Sequence, residues 1–486
     1  MLRWKCGRCN LTWIYPVNRC SHCKGPIGKD RTDKAKIIGI TRVSIPSLMH
    51  PLVPYNVMLL EDEHGNRMPR KTMKDYRIGD EFVEEKAKTQ GAVSIVRFKY
   101  DMDDAVEHAL NLINFEVSVG QKILIKPSII FAAYPYQAVN TNPKILESLI
   151  KFLLSRKIKP EDVTVAEQSP FGVDTGEAAA KAGILKVCSQ YNVNVVDMAK
   201  KGFEERRADG APFMVSSELA GKDVIINLPV MKTHSQWGVA GAMENIIRVA
   251  DNSTQKRIHS NNPGEMLAKL NRTVKCITLG DATIGMKGSG PLIGGEPAFL
   301  NMVLASNDPV AIDRVFCEIG FFEVPEYINA AGKIGLGESD MDRIEVVGNE
   351  VDAVRYPLSP AGSDPSPHSG VRVIDGMAWS GDYVAMYGVL GRLANIQTKG
   401  VSVAIGGALD RKNLEGAKKI VALGDAAVER LKELGVKTLL GIKGSPPDMV
   451  ESISLLNKVL ESNGQKNVNI IDRVKSKIAS RIAGMG

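Results

Sequence analysis

Two cysteine pairs open the chain: Cys6-Gly7-Arg8-Cys9, then ten residues, then Cys20-Ser21-His22-Cys23. Paired CxxC knuckles bring four thiolates to one tetrahedral ion, and a four-thiolate set suits zinc. Such a site leaves no open coordination position. The zinc therefore folds the chain around it and does no chemistry. Two disulfides are the competing reading, and they need an oxidising compartment. Met1-Leu2-Arg3-Trp4-Lys5 runs straight into the first knuckle, without the apolar stretch of a secretion signal.

A second set of reactive residues follows apolar runs. Lys126-Pro127-Ser128 closes one run and Glu167-Gln168-Ser169-Pro170 another. A third ends in Lys232-Thr233-His234, with Gly238, Gly241 and Asn245 behind it; Gly280-Asp281-Ala282 and Ser306-Asn307-Asp308-Pro309 come later. Lys126 and Lys232 are the type that binds a carboxylate or phosphate. His234 reads as a base or as the ligand of a second metal. Glu167 and Asp281 supply an acid/base partner or metal coordination. Lys232, His234, Glu167 and Asp281 form the candidate catalytic set, and Lys126, Ser128, Ser169 and Asn245 the candidate ligand-binding set. Each has a plainer role open to it. His234 reads also as a satisfied core residue, Asp281 as a turn anchor, Lys126 as a surface cation and Asp308 as a helix N-cap before Pro309. The composition describes a site for a small anionic substrate and leaves the reaction open.

These residues need a scaffold. The length of 486 residues predicts three or four domains. Residues 1–28 form the zinc ribbon. Over 29–90, short strands with Gly/Pro turns predict a small OB-type β-barrel. From 91 to 354 apolar strands alternate with amphipathic helices, which predicts an α/β domain with a doubly wound, largely parallel sheet. Open sheets of this kind bind ligands past the C-terminal ends of their strands, where the lysines, Glu167 and His234 fall. The glycine-rich stretch from Gly285 to Gly295 reads as a loop, and it matches neither a Walker A nor a GxGxxG pattern. Residues 355–370 read as a linker, and 371–486 as a second, smaller α/β unit with a basic tail helix over 468–482.

The net charge of +7 is carried entirely by residues 1–88, with 17 Lys/Arg against 10 Asp/Glu; the remainder holds 45 of each. A basic N-terminal module suits a phosphate-bearing partner such as coenzyme A or nucleic acid, or serves only as a solubilising surface. Trp4, Trp13, Tyr15, Arg31, Arg42 and Arg70 are the candidates for the nucleic-acid alternative. No apolar run approaches the roughly 20 residues of a membrane span, so a cytoplasmic protein is expected.

The ribbon followed by a barrel resembles the zinc-ribbon/OB-fold proteins of the domain-of-unknown-function 35 type. The resemblance implies acyl-CoA handling and docking to a thiolase-like partner enzyme. Lys126-Pro127, Glu167-Gln168-Ser169-Pro170, Lys232-Thr233-His234, Gly280-Asp281-Ala282 and Ser306-Asn307-Asp308-Pro309 resemble the domain-of-unknown-function 362 family over roughly 91–350. That family often carries a ferredoxin-type cysteine tail. Here Cys188, Cys276 and Cys317 stand alone and Ser445-Pro446-Pro447 replaces a Cys-Pro-Pro, so no iron–sulfur cluster is expected. The core is also distantly similar to the N-terminal part of nickel-pincer lactate racemases, which implies a nickel ligand at His234. The lysine that tethers the pincer cofactor has no counterpart around Val215–Leu219. Together the resemblances imply an enzyme acting on an anionic organic acid or its CoA thioester, by acid/base or metal-assisted chemistry. A nucleic-acid-binding protein and a non-catalytic scaffold of an acyl-CoA enzyme complex are the alternatives.

Overall fold

The structure is a computed structural model of the chain. It describes residues 1–361 except 48–49, 171–172, 261, 289 and 292–294, then 371–376, 400–444 and isolated positions as far as 458. Most of the expected linker and the whole expected tail helix lie outside the described residues.

The first three strands, β1 (Leu2–Cys6), β2 (Thr12–Trp13) and β3 (Ile27–Arg31), form an antiparallel sheet in the order β2-β1-β3 beside the cysteine knuckles. The next four, β4 (Lys34–Val43), β5 (Tyr55–Glu61), β6 (Arg67–Thr72) and β7 (Glu81–Val83), form a four-stranded antiparallel sheet in the order β6-β5-β4-β7. Alternation along β4 and β5 turns Ala35, Ile37, Met58 and Leu60 into one small core.

The large sheet contains β8 (Val93–Arg97), β9 (Ile123–Pro127), β10 (Val163–Glu167) and β11 (Asn194–Asp197). A separate hairpin, β12 (Phe203–Ala208) and β13 (Ala211–Ser216), intervenes. Then come β14 (Val224–Leu228), β15 (Val230–His234), β16 (Gly238–Ala240), β17 (Ile277–Gly288), β18 (Gly295–Ala298), β19 (Met302–Ser306) and β20 (Val346–Gly348). The path is β11-β10-β9-β14-β17-β19-β8-β20, with β15 and β18 also paired to β17 and β16 paired to β15. Strands β9 and β10 are buried along their whole length, as strands covered on both faces must be.

One covering layer carries α1 (Met102–Leu112), α2 (Pro143–Ser155), α3 (Thr175–Lys181) and α4 (Ile184–Gln190), which pack Leu110, Leu149, Ala178 and Ile184 on the sheet. The other carries α5 (Ala242–Asn245), α6 (Asn252–Ser260), α7 (Pro263–Arg272), α8 (Pro309–Gly320) and α9 (Glu326–Lys333), with Met243, Leu267, Ile312 and Ile328 inward. Local chemistry starts these helices where the sequence says. Asn142 caps α2 and Asp308 caps α8, each followed by proline at the first helical position. A last sheet, β21 (Arg372–Asp375), β22 (Val401–Ile405), β23 (Lys419–Leu423) and β24 (Leu440–Ile442), is parallel throughout in that order.

Two expectations change. The large sheet is mixed: β9, β10, β11, β14 and β17 run parallel, whereas β19 is antiparallel to both β17 and β8. The glycine-rich stretch is strand at both of its ends, because β17 continues to Gly288 and pairs with β18, which starts at Gly295. Gly285 is needed there for clearance: a Cβ would lie 2.8 Å from the Met231 carbonyl oxygen.

Part of the N-terminal positive charge is spent inside the molecule. Glu84 accepts Arg70 at 3.0 Å and faces His108 at 2.9 Å on α1. Burial opposes the charge on Glu84, but His108 and Arg70 outweigh it and hold the carboxyl well below the usual range. Arg31 pairs with Asp104 and Lys29 with Asp101, and Glu350 accepts the Thr72 hydroxyl. Two of the arginines considered for nucleic acid, Arg31 and Arg70, thus face the large α/β region, and Trp4 is buried. No helix among the described residues is long and apolar enough to cross a membrane.

Candidate functional site

At the N-terminus the four sulfurs of Cys6, Cys9, Cys20 and Cys23 all lie within 4.8 Å of one another. Cys6–Cys23 and Cys9–Cys20 are 3.4 Å apart and Cys9–Cys23 3.6 Å. A tetrahedron with zinc–sulfur bonds of about 2.3 Å has edges of about 3.8 Å, so the quartet fits a metal such as zinc with little adjustment. The cysteines are free thiols, not disulfides. Backbone amides of Arg8 and Cys23 point at the Cys6 and Cys20 sulfurs, which stabilises thiolate charge. Among the described residues this is the one group of three or more side chains placed to hold a metal.

The strand ends of the large sheet hold a buried charged cluster. Lys126 at the end of β9 meets Glu167 at the end of β10, Nζ to Oε2 2.9 Å, because these neighbours are in parallel register. Both side chains are closed to solvent. Burial pushes Lys126 down and Glu167 up, and their attraction opposes both shifts. Lys232, also buried, gives one proton to the Val139 carbonyl at 2.9 Å. Burial lowers it to about 8, against the pull of Glu244. Among the described residues no carboxylate forms an ion pair with it. Arg248 lies in the same cluster; its guanidinium donates to Gln255 Oε1 at 2.6 Å and is lowered by burial.

His234 closes β15 beside this group. Its Nδ1 accepts the backbone N–H groups of Gln236 at 3.1 Å and Trp237 at 3.3 Å. A neutral ring held this way carries its proton on Nε2. Among the described residues that nitrogen is buried without a hydrogen-bond partner, 4.0 Å from Glu244 Oε1. Burial, with His259 and Lys232 next, holds the imidazole well below its usual pKa, so it is neutral. A metal-ligating histidine ordinarily donates its second N–H to an outer carbonyl or carboxylate. His234 does the reverse, and its geometry is that of a donor.

The other candidates have settled partners. Asp281 gives one oxygen to the Asn142 amide at 2.8 Å and the other to the Thr283 amide and hydroxyl at 3.0 and 2.7 Å. Burial raises its pKa. It fastens the start of α2 to β17, and no hydrogen bond or ion pair among the described residues joins it to Lys126, Glu167, Lys232 or His234. Asn245 ties α5 to the Lys126 carbonyl at 3.3 Å and to Asn227 at 2.8 Å. Ser169 donates to the Ile129 carbonyl at 2.7 Å, and the Ser128 amide donates to Thr141 Oγ1 at 2.7 Å. These are joints between the strand-end loops.

Four side chains of the cluster escaped the sequence reading: Glu244, Arg248, Gln255 and His259. A charge pair four residues apart, Glu244 and Arg248, inside an otherwise apolar run was the available signal. Asp313 holds α5 itself, accepting the Ala242 and Met243 amides at 2.6 and 3.1 Å.

The molecule thus combines a cysteine quartet that could hold a metal with a mixed α/β sheet whose strand ends enclose unlike charges. Residues 123–318 match the family model described as "Domain of unknown function (DUF362)". The thylakoid-associated protein sll1697 of Synechocystis sp. is 23% identical over 210 residues, which is 42% of this chain and 64% of that protein. The match therefore spans less than two thirds of that relative. Among solved structures, the Ltp2-ChsH2(DUF35) aldolase aligns with 17% identity and a TM-score of 0.16, covering 21% of this chain and 76% of that one. The lactate racemase apoprotein from Thermoanaerobacterium thermosaccharolyticum aligns with 12% identity and a TM-score of 0.33, covering 78% of this chain and 94% of that one.

Proposed function

We propose that the DUF362 region is an enzyme site for a small organic acid, which enters at the strand ends and is held by its carboxylate. The observation that carries this reading is charge. Lys126, Lys232 and Arg248 are buried together, against Glu167 and the largely buried Glu244. A buried lysine without a paired carboxylate is completed by an anion, since an uncompensated buried charge costs several kcal/mol. Lys126 and Glu167 satisfy each other, and no carboxylate among the described residues forms an ion pair with Lys232, which leaves Lys232 as the anion holder. His234 Nε2–H is the adjacent donor for a second oxygen of the acid. In this reading the N-terminal module is an accessory that holds a CoA carrier or docks a partner enzyme. Titration calorimetry of the full chain with pyruvate, 2-oxobutyrate, 2-oxoglutarate and their hydroxy counterparts tests it. Binding that is lost in Lys232→Met supports the proposal. Binding of none of them, or binding unchanged in Lys232→Met, refutes it.

A further inference from the structure

The chain between β9 and α2 leaves the sheet and returns to the point where it left. The Thr141 amide donates to the Ser128 carbonyl at 2.9 Å, and the Ser128 amide to Thr141 Oγ1 at 2.7 Å. Residues 129–140 therefore form a compact loop with pinned ends. Asn140 braces it from within: its Oδ1 accepts the Ile130 amide at 2.8 Å, and its Nδ2 donates to the Phe131 carbonyl at 2.7 Å. The inner face, Ile130, Ala133, Ala138 and Val139, packs on Met286 as a small core of its own, apart from the two that flank the large sheet. Among the described residues, two hydrogen bonds tie the loop to other elements. Ser169 donates to the Ile129 carbonyl at 2.7 Å, and Lys232 Nζ donates to the Val139 carbonyl at 2.9 Å. The residue before that carbonyl, Ala138, stands in the left-handed region at φ 57°, which its Cβ disfavours. Such a conformation lasts only while its surroundings hold it. A segment braced inside and held outside by so few ties opens as a unit.

We propose that loop 129–140 is a lid, latched by Lys232 on the Val139 carbonyl, and that an organic acid opens it by taking that ammonium. This rests on the organic-acid reading above. Lys232 is 2% exposed, so an acid reaches it only when a covering element moves. The loop supplies the one acceptor that the ammonium has among the described residues. The Val139 oxygen therefore sits where an oxygen of the acid has to sit. A carboxylate brings a charge opposite to the ammonium, which a neutral carbonyl does not, so the exchange of partners favours the acid. Val139 is then released, and the loop loses one of its two ties.

Hydrogen exchange of the full chain, followed by mass spectrometry on peptides spanning 128–141, tests the lid. Without any acid, Lys232→Met is expected to speed exchange of this segment about 10-fold, the effect of losing one bond to a charged group, with β9 and α2 unchanged. Asn140→Ala removes the internal brace and leaves Lys232 in place. It is expected to speed exchange as well, and to tighten pyruvate binding, because a looser lid withholds the ammonium less. Saturating pyruvate is expected to speed exchange in the wild type and to add nothing in Lys232→Met. Three results each overturn the lid and leave the organic-acid reading standing: unchanged exchange in acid-free Lys232→Met, pyruvate held through Lys232 with the segment unchanged or slowed, and pyruvate binding no tighter in Asn140→Ala. Absence of any acid binding overturns that reading, and acid-driven opening with it.

Discussion

Replacing Glu167 by glutamine should make the stability of the large sheet depend on pH in a specified way. In the wild type, Lys126 and Glu167 hold one proton between them whether the pair is ionic or neutral. The unfolded pair also holds one at pH 7, so it adds no slope. In Glu167→Gln the buried lysine has lost its carboxylate, and it folds uncharged. The unfolded lysine, with an ordinary pKa of about 10.4, binds a proton that the folded one does not. Discharging it at pH 7 costs about 4.6 kcal/mol, and at pH 8.5 about 2.6 kcal/mol. The sign follows: the unfolded state binds more protons, so the variant gains about 1.4 kcal/mol per pH unit up to about pH 10. Exchange of β9 and β10 amides along a urea series, at pH 6.5 to 8.5, reads this directly. The double variant Lys126→Met/Glu167→Gln should lose less than Glu167→Gln alone, because no charge is left stranded. A loss that is independent of pH, or under about 1 kcal/mol, would refute the argument.

Further outcomes follow from the same geometry. Elemental analysis should find one tetrahedral metal per chain, absent in Cys9→Ser; unchanged metal content in that variant would rule out the quartet as its site. Burial raises Asp313 to about 7, against the Met243 and Ala242 amides. The folded state thus takes up a proton between about pH 4 and 7, and stability falls as pH rises through that window. Asp313→Asn should remove that slope in a pH series of thermal melts, and a wild type with a flat profile would contradict it. Glu84→Gln should loosen the N-terminal module from α1 and speed proteolysis between residues 84 and 102; an unchanged digestion pattern would show the ion pairs to be idle.

The cysteine quartet was readable because its signal is local. CxxC spacing places thiolates without reference to the fold. The runs ending in Lys126 and Glu167 marked strand ends, whereas the pairing of the two side chains follows from the parallel register of β9 and β10. The caps at Asn142-Pro143 and Asp308-Pro309 are local too. Asp281 was not readable in this way: its oxygens are taken by Asn142 and Thr283, and only the tertiary fold brings Asn142 to it. Arg248 and His259 sit in helical segments whose pattern says only that one face is inward. Their approach to His234 depends on how α6 and the turn after α5 pack. The antiparallel β19 also escaped, since alternation of strands and helices does not fix strand direction. The glycines around Gly285 signalled a loop, whereas they serve the close passage of β15 along β17.

The proposed site has Lys232 holding a carboxylate beside His234. A crystal structure grown with saturating pyruvate tests it most directly. The expected result is a carboxylate within hydrogen-bond distance of Lys232 Nζ, with the carbonyl oxygen on His234 Nε2. Pyruvate bound elsewhere, or a strand-end cluster occupied by water alone, would contradict it.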